Sequence, residues 1–452
     1  PIFTQMQLLT TRYSMRPEVW SEKYRMVRSH PGIDFFYNFY GVTYNIPALY
    51  GWYLVTDDSS AKALAEREVE WLLELQEQEG PLAGAWFSMY CVEPTTPSGL
   101  VGLDQAWNRW CLPHATGTTV KTLLWYWEAS GKRNSEVFAA AVRGAEWLLA
   151  NQRPDGAWTY AFDLEGKPVS EQSGAGQIWC TWALWKLWEY TGEERYKTAA
   201  ECSRDAFKRD FMDQHLYMGY WEDVSGAGGS VARSWEAYEP AIACLVFAEM
   251  GDNDLALWCA KDAATWSWTR VTTTRQPETS LGETTEQSLC GPSQAQSPMT
   301  AVGMQRLFEL TGDPIWEDFS GAMKAVNFSA DPDQAYGMVA TSGWGDPLHG
   351  VASPPYENYK PFITPNNSLG DEYGRQVWNN WCTDQFAWLA LEWLVREGNL
   401  RAPNHFSLDI NTYRGTVLGQ PGRVRMPEEK CDVTPLDHLD INWVGYENAD
   451  HY

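Results

Sequence analysis

Basic side chains are scarce in this chain: 34 Lys and Arg stand against 59 Asp and Glu in 452 residues, a formal charge of −25. A field of that sign repels nucleic acid and anionic membrane surfaces, so neither is expected as a partner. Runs of 18 apolar residues and a leader peptide are also missing, which predicts no membrane-spanning helix and a soluble or already trimmed chain. A secreted or periplasmic location is expected, with the cytoplasm as the alternative. The nine cysteines contain no C-x-x-C pair and are odd in number, so no disulfide scaffold is implied.

What is abundant is flat aromatic surface: 26 Trp, 22 Tyr and 16 Phe. That exceeds the needs of a core this size, so some rings are expected to line a cleft, stacking on sugar rings or enclosing an apolar ligand. Helix packing is the competing role for any single tryptophan.

Self-similarity organises the chain. Glu70-Trp71-Leu72-Leu73, followed by Gln76 and Gly80, returns 76 residues later as Glu146-Trp147-Leu148-Leu149 with Gln152 and Gly156. A second string closes amphipathic runs: WEASG ending at Gly131, WEYTG at Gly192 and FELTGD at Asp313, echoed by YLVTDD ending at Asp58 and AEMGD ending at Asp252. Each joins a 3.6-residue apolar pattern to a stop and to a start signal for the next helix. The spacing predicts first helices near 36–56, 115–130, 174–191, 233–250, 296–311 and 379–397. Second helices follow near 59–78, 134–151, 193–211, 253–269 and 314–328, and residues 17–29 are expected to supply the twelfth. First helices are apolar on most sides, as in IWCTWALWKLWEY, whereas second helices are amphipathic. That contrast predicts an inner ring inside an outer ring: an all-α (α/α)6 toroid over residues 1–398, with Trp182, Trp185 and Trp188 buried. Residues 399–452 alternate between Gly and Pro turns and predict a strand-rich C-terminal extension or the start of a β-domain.

The stretch Gln152-Arg153-Pro154-Asp155-Gly156-Ala157-Trp158 resembles the QxxDGxW repeat of triterpene cyclases, and the hairpins over residues 17–398 resemble the α/α-toroid superfamily. That superfamily includes terpene and lanthionine cyclases, sugar epimerases, glycoside hydrolases and polysaccharide lyases. The motif is structural: Gln caps a helix end, Asp-Gly turns, and Trp packs beneath. No DxDD acid is present, which argues against protonating terpene cyclases. A zinc site using Cys111 and His114 lacks the adjacent Cys-His pair of lanthionine cyclases, so neither metal nor cofactor is expected. Carbohydrate chemistry remains.

Long second-to-first loops must emerge on one face, where first-helix N-termini present free N–H groups and positive dipole ends. For glycosidic hydrolysis, which needs two facing carboxylates, Glu222 or Asp223 beside Trp221, Glu236 or Glu239 at the next helix start, and Asp371 and Glu372 are the candidates. For elimination at a uronate, Tyr373 or Tyr220 would act with His114, His215 or His349, next to Arg375, Asn379 and Asn380. Trp110, Trp221, Trp344 and Trp378 are expected to stack on a glycan substrate, with Arg109 available to a carboxylate. Any one of these acids could instead be a solvated loop charge, and Asn379-Asn380 a helix cap. The leading expectation is a glycoside hydrolase on a poly- or oligosaccharide, some of it uronate-containing. A polysaccharide lyase or sugar epimerase is the alternative, and a non-catalytic glycan-binding protein the second.

Overall fold

The computed structural model describes residues 20–24, 26–27, 35–38, 42–92, 100–103, 109–170, 172–215, 217, 224–225, 230–231, 238–273, 284–285, 292–293 and 307–317. Over these the chain is helix-rich with few strands. Helices α1 (Thr43–Thr56) and α2 (Ser59–Leu75), α3 (Pro113–Ala129) and α4 (Ser135–Asn151), α5 (Ile178–Thr191) and α6 (Glu194–Phe207), and α7 (Tyr238–Glu249) and α8 (Asn253–Thr273) follow in hairpin order. A further helical turn at 307–311 leads into 314–317. The stops read from the sequence are where the backbone turns left-handed: Gly131, Gly192, Gly251 and Gly312 all have positive φ, and Asp57 takes the same role at φ 61°. The sixth first helix, expected at 379–397, and the strand-rich extension at 399–452 lie outside the described residues.

Two expectations at the N-terminal side are corrected. Residues 17–29 do not supply a twelfth helix: β1 (Trp20–Ser21) and β2 (Met26–Val27) pair antiparallel. Buried Trp20 lies 4.9 Å under the Arg67 guanidinium, and Tyr24 meets Phe36 edge-on at 5.3 Å. These contacts reach across the fold and outweigh a weak local helical pattern. The first helix begins at Thr43, because Phe35–Tyr37 forms β3, which pairs with β4 (Met89–Val92), itself paired with β5 (Leu100–Leu103).

One compact unit comprises Pro17–Tyr53 and Asp58–Ser234. Its first helices are buried nearly all round, including the hydroxyl-rich start of α3. Burial is tolerated because each hydroxyl is bonded: Thr118 and Thr119 donate back to the carbonyls of His114 and Ala115 at 2.9 and 2.8 Å. Thr122 donates at 3.0 Å to the Thr43 carbonyl of α1, the acceptor that Pro47, lacking an N–H, cannot serve. A Cβ on Gly117 would stand 2.7 Å from the Cys180 nitrogen, so α3 and α5 meet backbone to backbone there. On α5, Trp182 and Trp185 are buried as expected, whereas Trp188, at the exposed end, is half-buried. Second helices bury one face only, Val137, Ala140, Ala141, Gly144, Ala145, Trp147 and Leu148 in α4.

The turn that closes each second helix is built twice from the same bonds. Gln76 ends α2; its Nε2 donates to the carbonyls of Gly84 and of Ala140 on α4, both at 2.9 Å. Gln152 ends α4 and donates to Gly156 and to Ala199 on α6, at 2.8 and 2.9 Å. The indoles of Trp86 and Trp158 donate at 2.8 Å to Leu72 and Leu148, carbonyls of the helix just ended. The counterpart of Gly156 is therefore Gly84, not Gly80: the first turn holds four more residues between Gln and Gly, which a fixed 76-residue offset hides. Gln76 also accepts from Arg143 Nε and Nη2 at 3.0 and 2.7 Å. Gln76→Ala would orphan two buried carbonyls and this guanidinium together. We expect a loss of about 2–4 kcal/mol in denaturant unfolding, against under ~1 kcal/mol for exposed Gln78→Ala.

The other compact unit takes Pro1–Arg16, Leu54–Asp57 and Trp235–Tyr452. Within it α7 and α8 pack side by side, with Ala241, Ile242, Ala243, Cys244, Leu245, Val246 and Phe247 of α7 all buried. Among the described residues no helix is long and apolar enough to cross a membrane.

Candidate functional site

The N-terminal ends of the first helices gather buried polar groups in a setting that is otherwise apolar. Ahead of α1, Asn38 donates through Nδ2 to the Phe87 carbonyl at 3.0 Å and to Thr119 Oγ1 of α3 at 3.1 Å. At the start of α3 Pro113 occupies the first turn, where a missing N–H costs nothing, and His114 follows it. Before α5 the run Gly174-Ala175-Gly176-Gln177 makes a 3-10 turn that delivers Gln177 to the helix mouth.

His114 is 3% exposed. Its ring meets Tyr160 edge-on with centroids 6.3 Å apart, and on another side it rests on the backbone of Gly176, where a Cβ would stand 2.9 Å from Nδ1. Tyr160 is brought there by a hairpin after the Gln152 turn, in which Tyr160 and Val169 donate to the carbonyls of Gln172 and Ala161. The hairpin is anchored to the start of α3 by reciprocal bonds between Cys111 and Phe162 at 2.8 and 2.9 Å. Burial pulls the His114 pKa down to about 3, so the imidazole is neutral at ordinary pH. It can therefore both donate and accept a hydrogen bond.

Around this core sit groups of mixed character. Burial, and to a lesser degree the charge of Glu77, pushes the Cys111 thiol far up, and its Sγ lies 3.5 Å from the Trp86 carbonyl. The thiol is inert. Glu77, half-buried in the turn after α2, has its carboxyl raised by burial, with Arg109 acting in the opposite direction. Arg109 is exposed and Trp110 half-buried.

Of the residues singled out from sequence, the structure describes His114, Trp110 and Arg109 in one unit and Glu239 in the other. Glu239, in the first turn of α7, is 1% exposed. Glu222, Asp223, Glu236, Asp371, Glu372, Tyr373, Trp221, Trp344, Trp378, Asn379, Asn380 and Arg375 lie outside the described residues, as do Tyr220 and His349. His215 is exposed with φ 50°, and Tyr217, part of the same loop, is core, packed at 5.9 Å on Phe207. Sequence reasoning passed over Tyr160, Gly176 and Gln177. The signal was the small-residue run before IWC, which lets another side chain lie on the backbone.

No protein-family model matches this sequence, and no curated protein matches it either. Among solved structures the chain is similar to the cellobiose 2-epimerase of Spirochaeta thermophila DSM 6192, with TM-score 0.54 and 13% identity over 85% of this chain and 90% of that one. It is also similar to a D-mannose isomerase, with TM-score 0.52 and 12% identity over 73% and 87%. The cellobiose 2-epimerase of Bacillus thermoamylovorans B4167 gives 0.51 and 10% over 75% and 89%. At such identities the likeness is one of fold, which this chain shares with α/α-toroid enzymes.

Proposed function

We propose that this chain is a carbohydrate-active enzyme that moves a proton beside a sugar carbonyl, an epimerase or isomerase, at the N-terminal ends of its first helices. The observation that carries the reading is His114: a buried imidazole held neutral at a helix N-terminus, on a fold shared with sugar epimerases and an isomerase. A neutral imidazole there can donate a hydrogen bond to a carbonyl oxygen and pass it a proton as an enediol forms, then take the proton back. Its low basicity argues against it as the group that removes the carbon-bound proton. That base is to be sought among Glu222 and Asp223, which belong to the same compact unit as His114, with Trp110 and Trp221 as the stacking surface. The reading takes the toroid as six hairpins, with 379–397 in the sixth.

Glycoside hydrolysis is the second reading, favoured by Glu239, since a buried carboxyl at a first-helix N-terminus is the kind of group that reaction uses as its acid. One experiment separates the readings. The protein is incubated with cellobiose, mannose, a mannan and a uronate-containing glycan in deuterated water and followed by NMR and ultraviolet absorbance. Deuterium entering the sugar at C2, without new reducing ends, is the expected result, and His114→Asn should lower that exchange about 100-fold. New reducing ends without exchange would establish hydrolysis, and an absorbing unsaturated product would establish elimination.

A further inference from the structure

Gln177 has a side-chain amide with one arm occupied and one arm idle. The backbone N–H of Trp158 donates to its Oε1 at 3.2 Å. Because Trp158 contributes a donor, the oxygen must face it, and the amide orientation is settled by chemistry. The opposite arm, Nε2, is buried and meets no acceptor among the described residues, although Gln177 is only 3% exposed. A buried amide donor left idle is costly, and native proteins retain few of them without a use.

The position suggests the use. Gln177 is the residue from which α5 starts, after a 3-10 turn that already engages the backbone N–H groups of Gln177 and Ile178, so Nε2 is a donor left over at that helix mouth. Its neighbour Gly176 is the surface on which the His114 ring rests. The idle donor and the surface on which the His114 ring rests thus belong to adjacent residues of one 3-10 turn. Thr181 Oγ1, one turn further along α5, is engaged with Ser203 at 2.6 Å and does not compete.

We infer that Gln177 is a substrate-binding residue whose Nε2 donates to an oxygen of the sugar, a hydroxyl next to the carbonyl that His114 polarises. This rests on the sugar-enzyme reading above. A sugar supplies what the site lacks: a neutral oxygen that accepts while its own proton is directed elsewhere. The Trp158 bond fixes the amide before the sugar arrives, so little rotamer freedom is lost on binding.

The test uses the full chain and two variants. Gln177→Glu keeps the oxygen that accepts from Trp158 and replaces the amide donor by a carboxyl that donates only while protonated; Gln177→Met removes both arms at similar volume. With a sugar that the wild type turns over, KM should rise about 5- to 10-fold in Gln177→Met, with kcat changed less than about 2-fold, whereas Gln177→Glu should stay near the wild-type KM at low pH and lose it as its carboxyl ionises. A fall in melting temperature with KM unchanged would make Gln177 purely structural and overturn the inference while leaving the enzyme reading intact. If the wild type turns over nothing but binds cellobiose or mannose by ligand-observed NMR, the enzyme reading falls. The subsite then stands if the variants weaken that binding and falls if they do not. Absence of both binding and turnover overturns the two together.

Discussion

Between pH 6.5 and 4.5 the protein should lose stability at about 1.4 kcal/mol per pH unit, the slope of one proton taken up on unfolding. His114 is the cause. Its unfolded pKa is the ordinary 6.5, and burial lowers the folded value to about 3. Above 6.5 both states are neutral and the group contributes no pH dependence. Below it the unfolded chain binds a proton that the folded chain refuses, so stability falls with falling pH until the folded value is reached. The lowered carboxyls Asp58 and Asp155 act in the same direction, but only below their unfolded value of 3.8, under this window. Glu77 runs the other way in the lower part of it, because a raised carboxyl costs stability as pH rises through its folded value. Chemical denaturation at several pH values should therefore give a steep wild-type profile, and the same series on His114→Asn should be flatter by about one proton. Parallel profiles for the two would refute this account of the imidazole.

Gly156→Ala should cost about 3–5 kcal/mol, a fall in melting temperature of roughly 3–5 °C for a cooperatively unfolding chain of 452 residues. Two penalties coincide there. The residue has φ 89°, which a side chain resists, and a Cβ would press into the carbonyl group of Cys202 on α6, with the carbon 2.6 Å away. That obstacle is helix backbone and cannot rotate aside. Gly84→Ala should behave alike, since at φ 99° its Cβ would stand 2.5 Å from the Arg143 carbonyl oxygen of α4. Gly192→Ala separates the penalties: φ is 70° but nothing lies within 4 Å, so only the backbone term of about 1 kcal/mol remains. Equal losses at Gly156 and Gly192 would mean that the close approach of turn to neighbouring helix contributes nothing.

By itself the sequence determined the helices α1 to α8, their order and the places where they turn back, though not the pairing of strands at 20–27. Those features are local: an apolar repeat of 3.6 residues separates the all-round burial of α5 from the one-sided burial of α4, and a stop at Gly192 needs only its own backbone. His114 at the mouth of a first helix was legible for the same reason, because a helix start announces itself through Pro and Thr. Only the tertiary structure decided that Phe35–Tyr37 is a strand, since its partner Met89–Val92 lies more than fifty residues away. It alone matched Gly84 with Gly156, because equivalence in a repeat is set by which carbonyl a glutamine reaches on the next helix and an inserted turn shifts the spacing. The pairing of His114 with Gly176 and Gln177 is of the same kind. Its parts lie some sixty residues apart, and a hydrogen-bond donor becomes idle only when every other chain segment has taken its place.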